Sequence, residues 1–226
     1  MRVKNIAKLA SFLVVLISFS AISAKGQDFT NIQWGDVAGS DFFLLGDSSG
    51  STFNPTTNQA IVVLGYFNSA FNVSENATDL QALFDNFTLL AQAEIGTGYS
   101  GFVSTSTSIS TDGNPAVGQT PYYWVLEGVT TYDLSSVLGV SEYAILSDSN
   151  WGVIPTGAAP PAGQTYDIRV VNPDTVIYGS VENGAGFGSG NLYKTAEAVP
   201  EPAFYTAGLG VIALLVVQLH RRRKVA

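Results

Sequence analysis

The stretch Ala60-Ile61-Val62-Val63-Leu64-Gly65-Tyr66-Phe67 decides the fold. It is short, apolar and rich in β-branched and aromatic residues, the composition of a strand packed on a pleated surface. Working outward, the same composition recurs at residues 29–34, 42–45, 87–95, 101–110, 122–130, 142–147, 166–171 and 175–181. Turn formers separate these runs: Gly46-Asp47-Ser48-Ser49-Gly50, Asn54-Pro55, Asp112-Gly113-Asn114-Pro115, Pro160-Pro161 and Asn172-Pro173-Asp174. Residues 103–109 read as a strand whose Ser and Thr side chains face water on one side. Many short strands divided by turns predict a mainly β chain, a single β-sandwich domain of jelly-roll type. The repeated helical crossovers of a parallel α/β sheet are missing.

One segment departs from this pattern. Leu80, Leu83, Phe84 and Phe87 fall at i, i+3, i+4 and i+7, a helical spacing. One short helix is expected over residues 78–86, capped by Thr78 or Asp79 and packed on the sheet or over its open end. The glycine-rich stretch Asn183-Gly184-Ala185-Gly186-Phe187-Gly188-Ser189-Gly190-Asn191 lacks Gly-Lys-Ser/Thr and precedes no helix, so it reads as a loop and not as a phosphate cradle.

Composition narrows the chemistry. The 226 residues contain no cysteine, and the single histidine is His220, near the C-terminus. The central region therefore has no disulfide, no thiolate zinc site, no Ser-His-Asp triad and no histidine-ligated metal. Ten basic and 18 acidic residues give a net charge of −8, unevenly distributed. Arg2, Lys4, Lys8 and Lys25 lie near the N-terminus, and Arg221, Arg222, Arg223 and Lys224 near the C-terminus. Between residues 27 and 199 only Arg169 and Lys194 stand against 17 acidic residues, a net charge of about −15. Such a surface repels nucleic acid and anionic lipid and suits a solvated extracellular domain.

Both ends read as targeting segments. At the N-terminus three basic residues precede an apolar stretch over 9–22, followed by Ser23-Ala24. This is the layout of a secretory signal peptide, assigned to residues 1–26, and it implies passage through the Sec export machinery. The exported domain then covers 27–198. At the other end Val199-Pro200-Glu201-Pro202 is followed by a 17-residue apolar run over 203–219 and then by the basic cluster. At about 1.5 Å per residue a helix of that length spans roughly 25 Å, just enough for a bilayer core. The basic cluster acts as a cytoplasmic stop and places the preceding chain outside. The layout admits a permanent anchor or a processed signal, as in a GPI signal whose tail is removed. The prolines keep the motif extended and outside the helix, which favours processing.

This tripartite tail over residues 199–226 resembles the PEP-CTERM sorting signal, which directs exported proteins of Gram-negative bacteria to a membrane exosortase. The resemblance implies that Val199, Pro200, Glu201 and Pro202 are recognition residues and that an exosortase cuts at or near them. It also implies release to the cell surface or to an exopolysaccharide matrix. The short span, ending in Gln218-Leu219-His220, is a minor departure. Within the domain, Leu64-Gly65-Tyr66-Phe67, the 80–87 element, Tyr122-Tyr123-Trp124-Val125 and Ser141-Glu142-Tyr143-Ala144-Ile145-Leu146 with Trp151 and Pro155 resemble a group of PEP-CTERM proteins of Verrucomicrobia-type bacteria. Those motifs are aromatic and structural, and imply architecture and location without chemistry.

Three chemistries are left to weigh. Paired carboxylates are the catalytic device the composition allows, drawn from Glu75, Glu94, Glu127, Glu142 and Glu182, although spacing pairs none of them. Oxygen-rich loops at Gly46-Asp47-Ser48-Ser49-Gly50, Asp112-Gly113-Asn114 and Asp148-Ser149-Asn150 suit structural calcium, but they match no calcium-loop spacing and use the residues of ordinary turns. Of Trp34, Trp124 and Trp151, the first two read as core. Trp151, in the polar loop after Ser147, is the candidate exposed platform for a glycan. The reading expected overall is a non-enzymatic surface or matrix protein with no cofactor. A carbohydrate-binding module is the alternative, and a carboxylate-dependent glycosidase-like enzyme comes third.

Overall fold

The computed structural model describes residues 29–35, 42–110, 114–155, 164–169, 173–186 and 188–199. The expected signal peptide over 1–26, Pro200 to Pro202, the apolar run and the basic cluster lie outside them. No helix among the described residues is long and apolar enough to cross a membrane.

The strand Ala60–Phe67 (β3) is buried along its whole length. Its side chains alternate between two cores, as a strand's twofold period requires. Ala60, Val62, Leu64 and Tyr66 enter one cluster, while Ile61, Val63 and Phe67 enter another. A strand so placed must be interior. It pairs antiparallel with Phe87–Glu94 (β4) on one side and with Tyr122–Glu127 (β6) on the other. Beyond β6 comes Glu142–Ser147 (β7), whose far edge receives both Thr175–Tyr178 (β9) and Ala196–Glu197 (β12). Gly65 sits at a bulge in the β3–β4 ladder. A Cβ there would run into the Thr88 carbonyl and the Phe87 ring, so only glycine permits this close approach.

Two three-stranded sheets are built from the remaining strands. In one, Phe29–Gly35 (β1) pairs antiparallel with Ser104–Ser110 (β5) and parallel with Gln164–Asp167 (β8). In the other, Leu192–Lys194 (β11) pairs antiparallel with Ser180–Glu182 (β10) and parallel with Leu44–Gly46 (β2). Ile32 and Trp34 from the first, with Leu45 and Tyr193 from the second, close over the Val62, Leu64, Tyr123 and Leu146 face of the large sheet. The serine face of β5 behaves as expected. Ser104, Ser106 and Ser108 are exposed while Val103 and Ile109 are buried.

The opposite face of the large sheet is covered by helices. Helix α1, Leu80–Asn86, starts at the expected cap: Asp79 accepts a hydrogen bond from the Ala82 N–H at 2.8 Å. It buries Leu80 and Leu83 against Trp124, Phe87 and Tyr143. The expectation of a single helix is corrected by a second, α2, Leu134–Leu138. Its cap Asp133 accepts from the Ser136 N–H at 2.9 Å, and Gly139 ends it. The serines at 135 and 136 are weak helix formers, so this short turn depends on its cap and on burying Val137. Among the described residues the chain is thus mainly β, with several sheets and two short helices.

Other boundaries differ from expectation for local reasons. The run over 175–181 is two strands, because Gly179 turns the chain at φ +105° beside the Lys194 carbonyl, where a side chain would collide. The short strands β11 and β12 were not expected. Their two or three residues carry no periodicity, and they exist through their partners.

Candidate functional site

The stretch expected from sequence to serve as a sorting motif begins at Val199, and the residues before it set how that stretch would be presented. The sequence reads residues 195–199 as a short stalk leading to that stretch. Instead, this segment is sewn into the fold. β11 belongs to a small sheet and β12 to the large one, with Thr195 at the corner between them. The buried Thr195 donates its N–H to the Gly46 carbonyl at 3.0 Å and its hydroxyl to Glu142 Oε2 at 2.6 Å. β12 then lies antiparallel to the start of β7, with Ala196 opposite Tyr143 and Glu197 opposite Glu142. Ala198 donates its N–H to the Ser141 carbonyl at 2.7 Å, and the Tyr178 hydroxyl donates to the Glu197 carbonyl at 2.6 Å. Tyr178 is itself stacked on Tyr143, ring centres 4.3 Å apart, and Tyr143 donates its hydroxyl to the Ala77 carbonyl. The next residue, Val199, is about half exposed at 47%.

Glu142 holds this corner together. The Ser48 N–H donates to its Oε2 at 2.7 Å and the Ser48 hydroxyl to its Oε1 at 2.5 Å, in addition to the Thr195 hydroxyl. Partial burial works to raise the Glu142 carboxyl. The Ser48 and Thr195 donors outweigh that and hold it below the ordinary glutamate range, against the nearby charge of Asp47. In the fold both oxygens of Glu142 are engaged. Glu127 is its acidic neighbour, raised by partial burial and then by the Glu142 charge, and it accepts the Ser141 hydroxyl at 3.3 Å. The fold therefore brings together two of the five candidate glutamates, which spacing left unpaired, but spends one on structure. Glu94 accepts from the Gln59 amide, Glu182 forms an ion pair with Lys194 at 3.3 Å, and Glu75 lies in the exposed turn after Asn72.

The calcium candidates are built as turns. Asp47 Oδ1 accepts from the Ser49 hydroxyl and the Ser51 N–H, and Oδ2 from the Asn58 amide. Asp148 accepts from the Asn150 and Asp174 N–H groups. Asn114 Oδ1 accepts from the Ala116 N–H, while Asp112 and Gly113 lie outside the described residues. No group of three or more metal-type side chains is gathered among the described residues.

Trp151 is a correction. It is 3% exposed, with its ring 4.5 Å from that of Tyr123, and it belongs to the core between the sheets. The polar residues around it misled the reading. Asp148 and Asp174 tie the 147–150 loop down with hydrogen bonds, Tyr166 donates its hydroxyl to the Trp151 carbonyl, and the indole falls back beneath the loop. Trp34 and Trp124 are core as expected, 1% and 0% exposed. Among the described residues the exposed aromatic is Tyr99, 69% accessible, in the loop between β4 and β5. Its ring meets Phe102 edge-on, and Phe102 lines an open groove of about 350 Å³ with Glu94, Thr97, Ser104 and Thr105. Sequence reasoning passed over Tyr99. Its neighbours Thr97-Gly98 and Ser100-Gly101, a turn composition around an aromatic, were the available signal.

No family model, no curated protein and no solved structure matches this chain.

Proposed function

We propose that this chain is a non-enzymatic exported protein of the cell surface or exopolysaccharide matrix. On this reading an exosortase-type enzyme recognises Val199, Pro200, Glu201 and Pro202 and cuts there, after the Sec machinery has exported the domain and while the 203–219 helix and the Arg221–Arg222–Arg223–Lys224 stop hold it in the inner membrane. The observation that carries the reading is the tripartite tail itself. Two features of the domain support it. The pairing of the domain ends at Ala198, immediately before the motif, and the strongly acidic domain suits the outer side of the membrane. For the topology, a jelly-roll-type β-sandwich is the finer proposal, supported by the small sheets facing one side of the large sheet.

The test is the intact mass of the mature protein from cells with and without the host exosortase. A product ending near residues 199–202, found only with the enzyme, is the expected result. A C-terminus reaching Ala226 in both strains would reduce the tail to a permanent anchor.

The alternative, a carbohydrate-binding module, is favoured by a different residue from the one expected. Tyr99 presents an exposed ring beside a groove lined by hydroxyl and carboxylate groups, the mixture that a sugar's apolar face and hydroxyls use. A neutral-glycan array on which the wild-type chain binds and Tyr99→Ala does not would establish this reading. Equal signals from both chains would remove it.

A further inference from the structure

We propose that β12 gates the processing of the tail: while residues 195–198 stay paired, the folded domain withholds the stretch upstream of Pro200, and cutting follows transient release of this strand. The inference rests on the sorting reading and concerns how that same site is regulated.

A peptide entering a processing site is bound extended, with main-chain groups on both sides of the scissile bond free to pair with the enzyme. Here the upstream side is already committed. Ala198 N–H is given to Ser141, the Glu197 carbonyl is taken by Tyr178, and Ala196 and Glu197 lie in register with Tyr143 and Glu142. Only Val199 is left between this pairing and Pro200. There is no slack downstream either. Residues 199–202 join the sheet to the apolar run at 203, a reach of at most about 14 Å for four extended residues. The enzyme cannot gain upstream residues by drawing on a linker; it gains them only when β12 lifts.

The strand is suited to lifting. It is two residues long and sits at the edge of the sheet, held by a few hydrogen bonds near the surface, which places its opening at the low-stability end of the fold. The large sheet does not need it. β7 remains paired with β6 and β9 when β12 leaves. Two side-chain bonds set the opening equilibrium without touching the motif, Tyr178 hydroxyl to Glu197 and Thr195 hydroxyl to Glu142. Removing one such bond raises the open fraction about fivefold.

The experiment uses the full chain with Tyr178→Phe, Thr195→Val and both together. Phenylalanine keeps the ring that stacks on Tyr143, and valine keeps the volume at the buried corner. Two rates are read. In cells carrying the exosortase, pulse–chase gives the lifetime of the precursor. On the purified full chain in detergent, a glutamate-specific endoprotease reports opening at the Glu197–Ala198 bond, independently of the exosortase. Expected are a roughly fivefold faster cut at Glu197 and a similarly shorter precursor lifetime in each single variant, a larger effect in the pair, and an unchanged mature mass. The gate is overturned if the wild type is cut at Glu197 as fast as the double variant, or if opening speeds up while the precursor lifetime stays the same. If no exosortase-dependent product forms even from the wild type, while Glu197 stays protected, the sorting reading is what fails, and the gate falls with it.

Discussion

Replacing Trp151 by alanine separates a structural residue from a ligand platform. The indole is 3% exposed and packs against Tyr123 within the core between the sheets. A buried tryptophan removes on the order of 200 Å² from water, which at about 25 cal/mol per Å² corresponds to about 5 kcal/mol. Part of that area stays buried with alanine, and the walls of the hole relax partway, so the expected loss is about 3–5 kcal/mol. With a urea slope of about 2 kcal/mol per molar, the unfolding midpoint falls by roughly 1.5–2.5 M. Far-UV circular dichroism is the right probe, since tryptophan fluorescence changes with the substitution itself. Trp151→Phe keeps a ring against Tyr123 and recovers more than half of the loss. Glycan binding, where the wild type shows any, stays intact in the folded fraction of both variants. A Trp151→Ala chain with a wild-type midpoint that has lost a glycan signal would refute the burial argument and restore the platform.

Three further outcomes follow from the same geometry. Tyr123→Phe removes the hydroxyl that accepts the Gly35 N–H at 2.6 Å and donates to the Ile168 carbonyl at 3.2 Å; leaving these groups unpaired costs about 1–3 kcal/mol, read as a lower urea midpoint. Gly65→Ala drives a methyl into the Thr88 carbonyl and the Phe87 ring and lowers stability by about 3 kcal/mol, checked by thermal unfolding, whereas Gly98→Ala, with open space around it, leaves the melting temperature nearly unchanged. Acidification loosens the C-terminal strand: the Glu142 carboxyl is held below its ordinary value of 4.5, so its contribution is complete above that value and is lost as pH falls through the lowered folded value. The protection factor of the Ala198 amide, its exchange rate referred to the intrinsic rate at each pH, should fall below about pH 4.5, and much less so in Glu142→Gln, where no carboxylate is left to titrate.

The strands with the densest apolar signal were legible from composition. Residues 60–67 and 142–147 form strands with the expected bounds, because continuous Val, Ile, Leu and aromatic side chains fit a fully covered strand and little else. Helix α1 was legible because its spacing and its Asp79 cap agree. Helix α2 was not, since five residues show no period and only the Asp133 and Gly139 punctuation marks them. The aromatic site was misplaced for a related reason. Local polarity around Trp151 says nothing about whether a loop is tied back over its own core, and Asp148 and Asp174 do that tying across 26 residues. Burial is decided by partners far along the chain.

The same division runs through the whole molecule. The sequence alone determined the mainly β character, the absence of cysteine and histidine chemistry from the central region, the charge asymmetry and the three-part tail, because each depends on residue type and local order. Tertiary structure alone decided that the large sheet is covered on both faces, that Glu142 is a clasp with both oxygens in use, and that residues 195–198 are paired instead of free. Glu142 and Thr195 are 53 residues apart in sequence and 2.6 Å apart in space. No local propensity encodes that contact, which exists only because the chain passes from β11 in a small sheet to β12 beside β7 in the large one, with Thr195 at the corner.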